Sequence, residues 1–177
     1  MVKKVEVPIF RFLNETIEQL NQTGLLLVSG TMKQANVMTI GWGLPGILWA
    51  KPLFIVAVRP SRYTYQFIEE TGDFTVNIPR RGMEEIVTYC GTVSGRDHDK
   101  FKEKSLTPLP SKKVKSPIIE DCMIHYECKV VYKAEVIKEG LPSFILSSCY
   151  PSGDYHTLYF GEIVSVYANE DLILDEK

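Results

Sequence analysis

The sequence has few cysteines, no long apolar run and no excess of positive charge. Only 4 of its 177 residues are cysteine, too few for a fold built on disulfides, so we interpret Cys90, Cys122, Cys128 and Cys149 as reduced thiols. No stretch reaches the ~18 consecutive apolar residues of a membrane-spanning helix. The 20 basic and 22 acidic side chains give a net charge of −2, whereas duplex nucleic acids are bound mainly through a basic surface. We therefore expect neither a membrane protein nor a nucleic-acid-binding protein.

The amino-terminal segment lacks the apolar block of a secretory signal. Glu6 and Pro8 follow closely after Lys3 and Lys4, and no apolar run develops there. Together with reduced thiols, this predicts a cytoplasmic protein. The hydrophobic fraction of 45% and the charged fraction of 24% are typical of a globular chain. At this length one core is the default, so we predict a single domain over residues 1–177.

Apolar and alternating runs bounded by glycine or proline predict that short strands dominate the fold. The five clearest are Gly24–Gly30, Pro52–Val58, Phe74–Ile78, Met123–Ile137 and Tyr155–Tyr167. The last two are long enough to be bent, and Gly161 is a candidate β-bulge.

Helix signals are fewer and shorter. The predicted helices are Leu13–Leu20, Ser61–Glu70, Met83–Tyr89 and Asp99–Lys104. Asn14 and Ser61 are the predicted N-caps of the first two, and Gly72 is the predicted end of the second. Apolar spacing in the first helix places Leu13, Ile17 and Leu20 on one side.

The segment Lys102–Pro117 is predicted to be a loop, because three prolines at this density prevent a regular helix or central strand. It is either a solvated surface loop or a basic rim beside an anionic ligand. Strands and helices do not alternate along the rest of the chain. The predicted fold class is therefore mainly β with short helices, arranged as a β-barrel or sandwich.

The segment Arg59–Thr64 joins a predicted buried strand to a helix and has the chemistry of a phosphate site. A helix amino end presents unpaired N–H groups and a positive dipole end. Arg59 and Arg62 add charged donors, and Ser61 and Thr64 add hydroxyls. The alternative is a capped helix with two solvated arginines. Since no pyrophosphate or triphosphate motif is present, we favour the phosphate of a mononucleotide.

Two further segments have the composition of backbone that contacts a ligand. Asn36 and Thr39 open an apolar run that continues to Trp42, and with Met38 they offer hydrogen-bond partners and apolar contact to a flat heterocycle. The loop in Cys90–Phe101 contains two glycines and two hydroxyl residues, which permits close approach of a ligand. The alternatives are an ordinary turn with its strand, and a glycine-rich connection between helices.

The histidines and cysteines do not predict a metal site. On a strand, Cys122 and Cys128 would face one way and His125 the other, and a tetrahedral site would need a fourth ligand. His156 follows Asp154 closely at the start of a late strand, where it is either structural, a neutral hydrogen-bond donor or a charge partner for a phosphate. We find no nucleophile elbow and no hydrolytic triad.

Five stretches, in this order, resemble the flavin reductase-like family, whose members have an FMN-binding split β-barrel. They are NVMTIGW (Asn36–Trp42), VRPSRYTYQFI (Val58–Ile68), FTVNIP (Phe74–Pro79), CGTVSGRDHDKF (Cys90–Phe101) and GDYHTLYFGEIV (Gly153–Val164). The resemblance extends from about residue 24 to residue 166, and it is strongest to the flavoredoxin branch.

The resemblance implies a homodimer with one FMN per subunit, held near the dimer interface. The residues implied at the isoalloxazine ring are Asn36, Val37, Met38 and Thr39, largely through backbone groups. Those implied at the phosphate are Arg59, Ser61, Arg62, Tyr63 and Thr64. Those implied along the ligand or the dimer contact are Ser94, Gly95 and Lys100.

His156 matches a position near the flavin face where a nicotinamide could stack, which makes it the implied catalytic residue. Many relatives read Gly-Asp-His at this point, whereas here Tyr155 is inserted between Asp154 and His156. The segment Leu141–Tyr150 also departs from the family pattern. Both departures lie beside the implied cofactor site and bear on its shape.

These residues predict an NAD(P)H-dependent flavin oxidoreductase that passes electrons through FMN to flavin, ferric or protein acceptors. The alternatives are a flavoredoxin-type electron-transfer protein reduced by a redox partner, and a binding module without enzymatic activity. Because the flavin performs the redox step, the lack of an acid–base constellation does not argue against an enzyme.

Overall fold

A computed structural model describes residues 2–174 of the protein, which are mainly strands with short helices. The strands are β1 (Lys4–Glu6), β2 (Leu25–Gly30), β3 (Ala35–Ile40), β4 (Gly43–Leu48), β5 (Lys51–Val58), β6 (Asp73–Ile78), β7 (Pro108–Leu109), β8 (Ile118–Ile119), β9 (Ile124–Glu135) and β10 (Thr157–Asn169). The helices are α1 (Leu13–Gln22), α2 (Tyr63–Thr71), α3 (Glu84–Thr92), α4 (Lys100–Glu103), α5 (Ser143–Cys149) and α6 (Asp171–Leu174). The predicted fold class is confirmed. No helix within residues 2–174 is long and apolar enough to cross a membrane.

Eight strands form one antiparallel sheet in the order β3-β2-β6-β9-β10-β5-β4, and β1 pairs with β10. The long pair β9 and β10 runs through its middle, with register shifts at Phe160/Gly161 and Ile163/Ser165. The predicted bulge at Gly161 is confirmed. A Cβ on this glycine would lie 2.5 Å from Cζ of Phe74, so only glycine allows the curved strand to approach the core this closely.

The core has two parts, one on each face of β2. Leu25 and Leu27 belong to the larger cluster inside the curved sheet. Leu26 and Val28 belong to a smaller cluster that α3 covers from the other side. A strand buried on both faces reads as a continuous apolar run, which is why the sequence located β2 well.

The predicted N-caps of the first two helices are wrong. α1 begins after Phe12 rather than at Asn14, and its buried positions include Thr16, whose hydroxyl donates to the Phe12 carbonyl at 2.7 Å. On the predicted apolar side of this helix, Leu20 is buried, whereas Ile17 is 46% exposed. α2 follows Arg62, and no side chain caps its amino end. Its predicted end is confirmed, since Gly72 has the left-handed φ of +70° that terminates helices.

Several elements were not predicted from the sequence, among them β1, β4 and α5. β4 contains Pro45 and Gly46, which weaken a strand signal and are tolerated at a sheet edge. The segment Leu141–Tyr150 contains α5, and the chain's first strand, β1, has only three residues. Elements this short carry too little periodicity to be recognised.

The loop between α4 and β8 is held down by buried carboxylates rather than being only solvated. The backbone N–H groups of Lys112 and Lys113 donate to Glu127 at 2.9 and 2.6 Å. Those of Lys115 and Ser116 donate to Asp73, each at 3.0 Å. Buried carboxylates satisfied by backbone donors fix an otherwise irregular segment.

The predicted common facing of Cys122 and Cys128 is also wrong. Cys122 precedes β9 and packs in the smaller cluster, whereas Cys128 lies in the larger one. His125 is fully buried, with Nδ1 2.9 Å from Oδ1 of Asn77. Within residues 2–174, no group of three metal-ligating side chains is placed to hold an ion.

Candidate functional site

Two adjoining cavities lie where β3, β5 and the amino end of α2 meet. The first, which we call the basic cavity, has a volume of about 120 Å³. It is lined by Asn36, Met38, Ser61, Arg62, Tyr63, Thr64, Cys90, Thr92, Val93, Ser94, Gly95, Arg96 and Lys100. The second, the histidine cavity, has a volume of about 180 Å³. It is lined by Met38, Thr39, Ile40, Gly41, Trp42, Ala57, Arg59, Arg62 and His156.

Met38 and Arg62 line both cavities. The two cavities are therefore parts of one elongated site. All of the residues implied by the family resemblance border this site except Val37. The side chain of Val37 is fully buried in the smaller core cluster. Successive side chains of a strand face opposite ways, so Met38 faces the site and Val37 does not.

Arginines concentrate positive charge at the mouth of the basic cavity. Nη1 of Arg62 donates to the Gly91 carbonyl at 3.2 Å, and Nη1 of Arg96 donates to the Ser61 carbonyl at 2.9 Å. The Arg96 guanidinium also lies 5.3 Å from the ring centre of Tyr63. Both arginines are exposed. Each retains further N–H groups that can bind an anion bidentately.

A buried polar contact holds the floor of the basic cavity. Nδ2 of Asn36 donates to Oγ1 of Thr64 at 2.7 Å, and Thr64 is fully buried. A Cβ on Gly95 would lie 1.9 Å from Oδ1 of Asn36. Because no larger residue fits, Gly95 brings the loop backbone directly against β3. The hydrogen bond from Asn36 to the buried Thr64 fixes the orientation of the Asn36 side chain.

Lys100 is buried behind the basic cavity and joins two of its walls. Its Nζ donates to the carbonyls of Val37 at 3.0 Å and Cys90 at 2.8 Å. Burial lowers the pKa of the lysine, while the nearby Cys90 raises it and Arg62 lowers it further. The ammonium group is hydrogen-bonded to the backbone of β3 and α3. It therefore contributes to the site through its positive electrostatic potential.

The side chain of Thr39 is hydrogen-bonded to α3, on the side of β3 where Val37 is buried. Its hydroxyl donates to the Val87 carbonyl at 2.5 Å. The contact ties β3 to α3 and leaves the backbone of Thr39 at the wall of the histidine cavity. Ser94 lies across the basic cavity, where its hydroxyl accepts from the backbone N–H of Arg96 at 3.2 Å.

Arg59 and Ser61 are both engaged by the segment that follows α5. Arg59 donates to the carbonyls of Cys149 at 2.8 Å and Asp154 at 2.9 Å. Its guanidinium also lies 5.0 Å from the ring centre of Tyr150. The Ser61 hydroxyl, predicted to be a helix cap, donates instead to the carboxylate of Asp154 at 2.5 Å. In the sequence, Asp154 carries no signal beyond its position close to His156.

His156 is held at the wall of the histidine cavity by aromatic side chains. Its Nδ1 lies 2.8 Å from the Tyr150 hydroxyl, and its ring centre lies 4.8 Å from that of Trp42. Burial, reinforced by the charge of Arg59 and opposed by that of Asp154, lowers the pKa of His156 to about 4. The imidazole is therefore neutral near pH 7.

The site fits a flavin mononucleotide. The basic cavity offers a helix amino end and two exposed arginines to a phosphate. The close approach of Gly95 to Asn36 leaves a backbone cradle that a Cβ would fill. The histidine cavity offers Met38 and Trp42 as apolar contacts and a neutral imidazole as a polar one.

Comparison with known proteins agrees with this geometry. A family model described as "Flavin reductase like domain" matches residues 19–176. The chain belongs to the flavin reductase-like family. An uncharacterized protein of Archaeoglobus fulgidus is 39% identical over 141 residues, which cover 80% of this chain and 69% of that protein.

Solved structures of flavoredoxins have the same fold. The flavoredoxin of Desulfovibrio vulgaris (Miyazaki F) superposes with a TM-score of 0.68 at 28% identity, over 84% of this chain and 70% of that one. The flavoredoxin of Methanosarcina acetivorans gives 0.66 at 29% identity, over 84% and 69%. The suspected family and the predicted FMN-binding split β-barrel fold are both confirmed.

Proposed function

We propose that the protein binds one FMN in the elongated site and works as an oxidoreductase through it. The observation that carries the proposal is the sharing of Met38 and Arg62 by the basic cavity and by a cavity whose wall holds the flat side chains of Trp42 and His156. A flavin mononucleotide has a phosphate at one end and a flat aromatic ring at the other, which match the donors of the first cavity and the flat side chains of the second. Family membership supports oxidoreductase chemistry in general.

The phosphate is assigned to the basic cavity. Arg62 and Arg96 supply exposed charged donors, and the amino end of α2 at Tyr63 supplies backbone N–H groups. Arg96 lies in the stretch Cys90–Phe101 but was not selected from the sequence. Ser61 and Arg59 join these donors when the segment around Asp154 releases them.

The isoalloxazine ring is assigned to the histidine cavity. Met38 and Trp42 supply apolar contacts, and the backbone around Thr39 supplies hydrogen-bond partners for the ring edge. The bound flavin supplies hydride and electron transfer. The chain itself orients the ring and limits access of water to it. His156 offers a neutral N–H group, because its lowered pKa keeps it uncharged at neutral pH.

NAD(P)H is the proposed reductant, and flavin, ferric complexes or a redox protein are the proposed acceptors. The flavoredoxin neighbours at 28% and 29% identity favour a second candidate, an electron-transfer protein reduced by another protein. Both candidates use the same binding residues. They differ in whether a nicotinamide reduces the bound flavin directly.

A homodimer is proposed from an exposed apolar patch on the β4–β5 hairpin and β9. The patch comprises Ile47, Leu48, Trp49, Val131 and Tyr132, each more than 40% exposed. The rings of Trp49 and Tyr132 pack at 5.8 Å, which presents a rigid surface. Contiguous apolar patches of this kind mark interaction surfaces, and we assign this one to a second copy of the chain. The single domain and the cytoplasmic location remain predictions.

Anaerobic mixing of the FMN-loaded protein with NADH or NADPH separates the two candidate functions. The reductase proposal expects bleaching of the flavin absorbance at a rate that saturates with nicotinamide concentration. Bleaching by dithionite but by neither nicotinamide would reject the reductase and retain the electron-transfer protein. Failure of the protein to take up FMN would reject both.

A further inference from the structure

Tyr150 and His156 form a buried hydrogen-bonded pair beside the histidine cavity. The tyrosine hydroxyl lies 2.8 Å from Nδ1 of the histidine. The two side chains are 7% and 9% exposed. At this burial the direction of the hydrogen bond matters, because a donor left without an acceptor costs stability.

The surroundings of the pair determine which group donates. Tyr150 has Arg59 at 5.0 Å from its ring centre, and the Arg59 N–H groups are donated to backbone carbonyls. The backbone N–H of His156 also acts as a donor toward the Tyr150 oxygen, so Nδ1 of His156 is the acceptor within reach of the tyrosine proton. If Nδ1 carried the proton, the buried tyrosine proton would face a cation and aromatic rings. Donation from tyrosine to histidine satisfies both groups.

The histidine ring then has one orientation and one tautomer. Trp42 packs against it at 4.8 Å, and the backbone of His156 is fixed by the N–H of Val136 at 2.9 Å. The two ring nitrogens of a neutral imidazole carry a single hydrogen between them. With Nδ1 accepting, that hydrogen is on Nε2, which has no hydrogen-bond partner among residues 2–174.

The inserted residue of this chain supports the pair. Asp154 adopts a left-handed φ of +55° immediately before Tyr155 and His156. The ring of Tyr155 packs on that of Tyr150 at 4.9 Å. The insertion that separates Asp154 from His156 thus forms the outer support of Tyr150.

We propose that Tyr150 is a positioning residue that donates to Nδ1 of His156 and so directs the Nε2–H of the histidine to the histidine cavity. The consequence for the cavity rests on the proposed function. A ligand ring seated there meets a neutral hydrogen-bond donor, so the site favours a ring edge that carries an acceptor, such as a carbonyl oxygen. His156 acts as a donor of a hydrogen bond and transfers no proton.

The test uses ¹⁵N resonances of the histidine rings in the flavin-free, full-length protein, with His156 assigned by loss of its signals in His156→Gln. The expected result near neutral pH is an unprotonated Nδ1 and a protonated Nε2 at His156. A protonated Nδ1 would overturn the proposal. This measurement on the wild-type chain decides the tautomer even if a Tyr150 variant does not fold.

The variant Tyr150→Phe keeps the ring and its packing but removes the donated hydrogen bond. Because that bond stabilises the neutral imidazole, its loss should raise the proton affinity of His156 about fivefold, from a hydrogen bond worth ~1 kcal/mol, and mix its tautomers. Tyr155→Phe is the matched control and should change neither. A lowered proton affinity, or no change, in Tyr150→Phe would contradict the proposal.

Addition of FMN tests whether the Nε2–H group of His156 donates to a ligand in the histidine cavity. The Nε2–H signal of His156 should shift on binding of FMN and stay in place on addition of inorganic phosphate. If FMN binds and the signal does not move, His156 does not donate to the ring and the proposed consequence fails. If FMN does not bind at all, the proposed function fails while the tautomer result stands.

Discussion

The carboxylate of Asp154 accepts two hydrogen bonds from Ser61, one from the hydroxyl at 2.5 Å and one from the backbone N–H at 3.4 Å. These donors stand beside the amino end of α2, where we place the phosphate of FMN. In this conformation an anion of the chain itself is bound beside the proposed phosphate position. Binding of FMN therefore has to compete with Asp154 for Ser61.

Replacement of this carboxylate should strengthen FMN binding. Asp154→Asn removes the negative charge and the competing acceptor, yet asparagine tolerates the φ of +55° as well as aspartate does. We expect the dissociation constant of FMN to fall about three- to tenfold, as for a repulsion of ~1 kcal/mol. Isothermal titration at low and high salt measures it. Weaker binding in the variant would show that Asp154 supports the site.

Arg62 is expected to carry a large share of the phosphate affinity. Arg62→Ala should weaken FMN binding by about 1–3 kcal/mol through loss of charge-assisted hydrogen bonds. The exposed Arg81, in the turn before α3, provides Arg81→Ala as the matched control. Riboflavin, which has no phosphate, should bind both variants equally. Unchanged FMN affinity in Arg62→Ala would contradict the phosphate assignment.

Gly95 is expected to be required for the cradle. In Gly95→Ala the new methyl group would lie 1.9 Å from Oδ1 of Asn36, so the loop and β3 have to move apart. We expect the loss of most FMN affinity with the fold retained, as judged by circular dichroism. Gly91→Ala is the control, because its methyl group would lie 3.2 Å from Cβ of Thr39, a much milder contact.

His156 is expected to contribute to acid destabilisation. Its pKa falls from 6.5 in the unfolded chain to about 4 in the folded one, so the unfolded state binds more protons between these values and stability is lost as the pH drops through them. His125, whose pKa is also lowered by burial, acts in the same direction. His156→Gln should reduce the pH dependence of the urea midpoint without abolishing it. An unchanged pH dependence would contradict the lowered pKa of His156.

Trp49 is expected to stabilise the proposed dimer. Trp49→Lys places a charge in the apolar patch and should convert a dimer into a monomer by light scattering. Phe144 is 69% exposed on α5 and is not one of the patch residues, so Phe144→Lys is the matched control. A wild-type chain that is monomeric at micromolar concentration would rule out the assignment of the patch to a second copy.

The five long strands and the family could be predicted because their signals are local. β2 is buried on both faces and reads as one apolar run, and Gly161 marks the bulge in β10. β4 could not be predicted, because Pro45 and Gly46 resemble a turn and only the sheet edge makes them acceptable. α5 is a seven-residue helix with no buried residue, and the carbonyl of its last residue, Cys149, accepts a hydrogen bond from Arg59, which is 90 residues away.

The site was predictable in its residue types more than in its contacts. Ser61 and Asp154 are 93 residues apart, and no local pattern predicts that they share a hydrogen bond. The pairing of Thr64 with Asn36 likewise depends on how α2 lies against β3. Such contacts determine which of the implied ligand residues face the site and which of them support its shape.

The central claim is tested most directly by titration of FMN and of riboflavin into the flavin-free protein, followed by calorimetry and by the flavin absorbance band. We expect one FMN to bind per chain and riboflavin to bind roughly 5- to 150-fold more weakly, because a phosphate contact of about 1–3 kcal/mol is missing. Equal affinity for the two, or no heat and no spectral change with either, would contradict the claim.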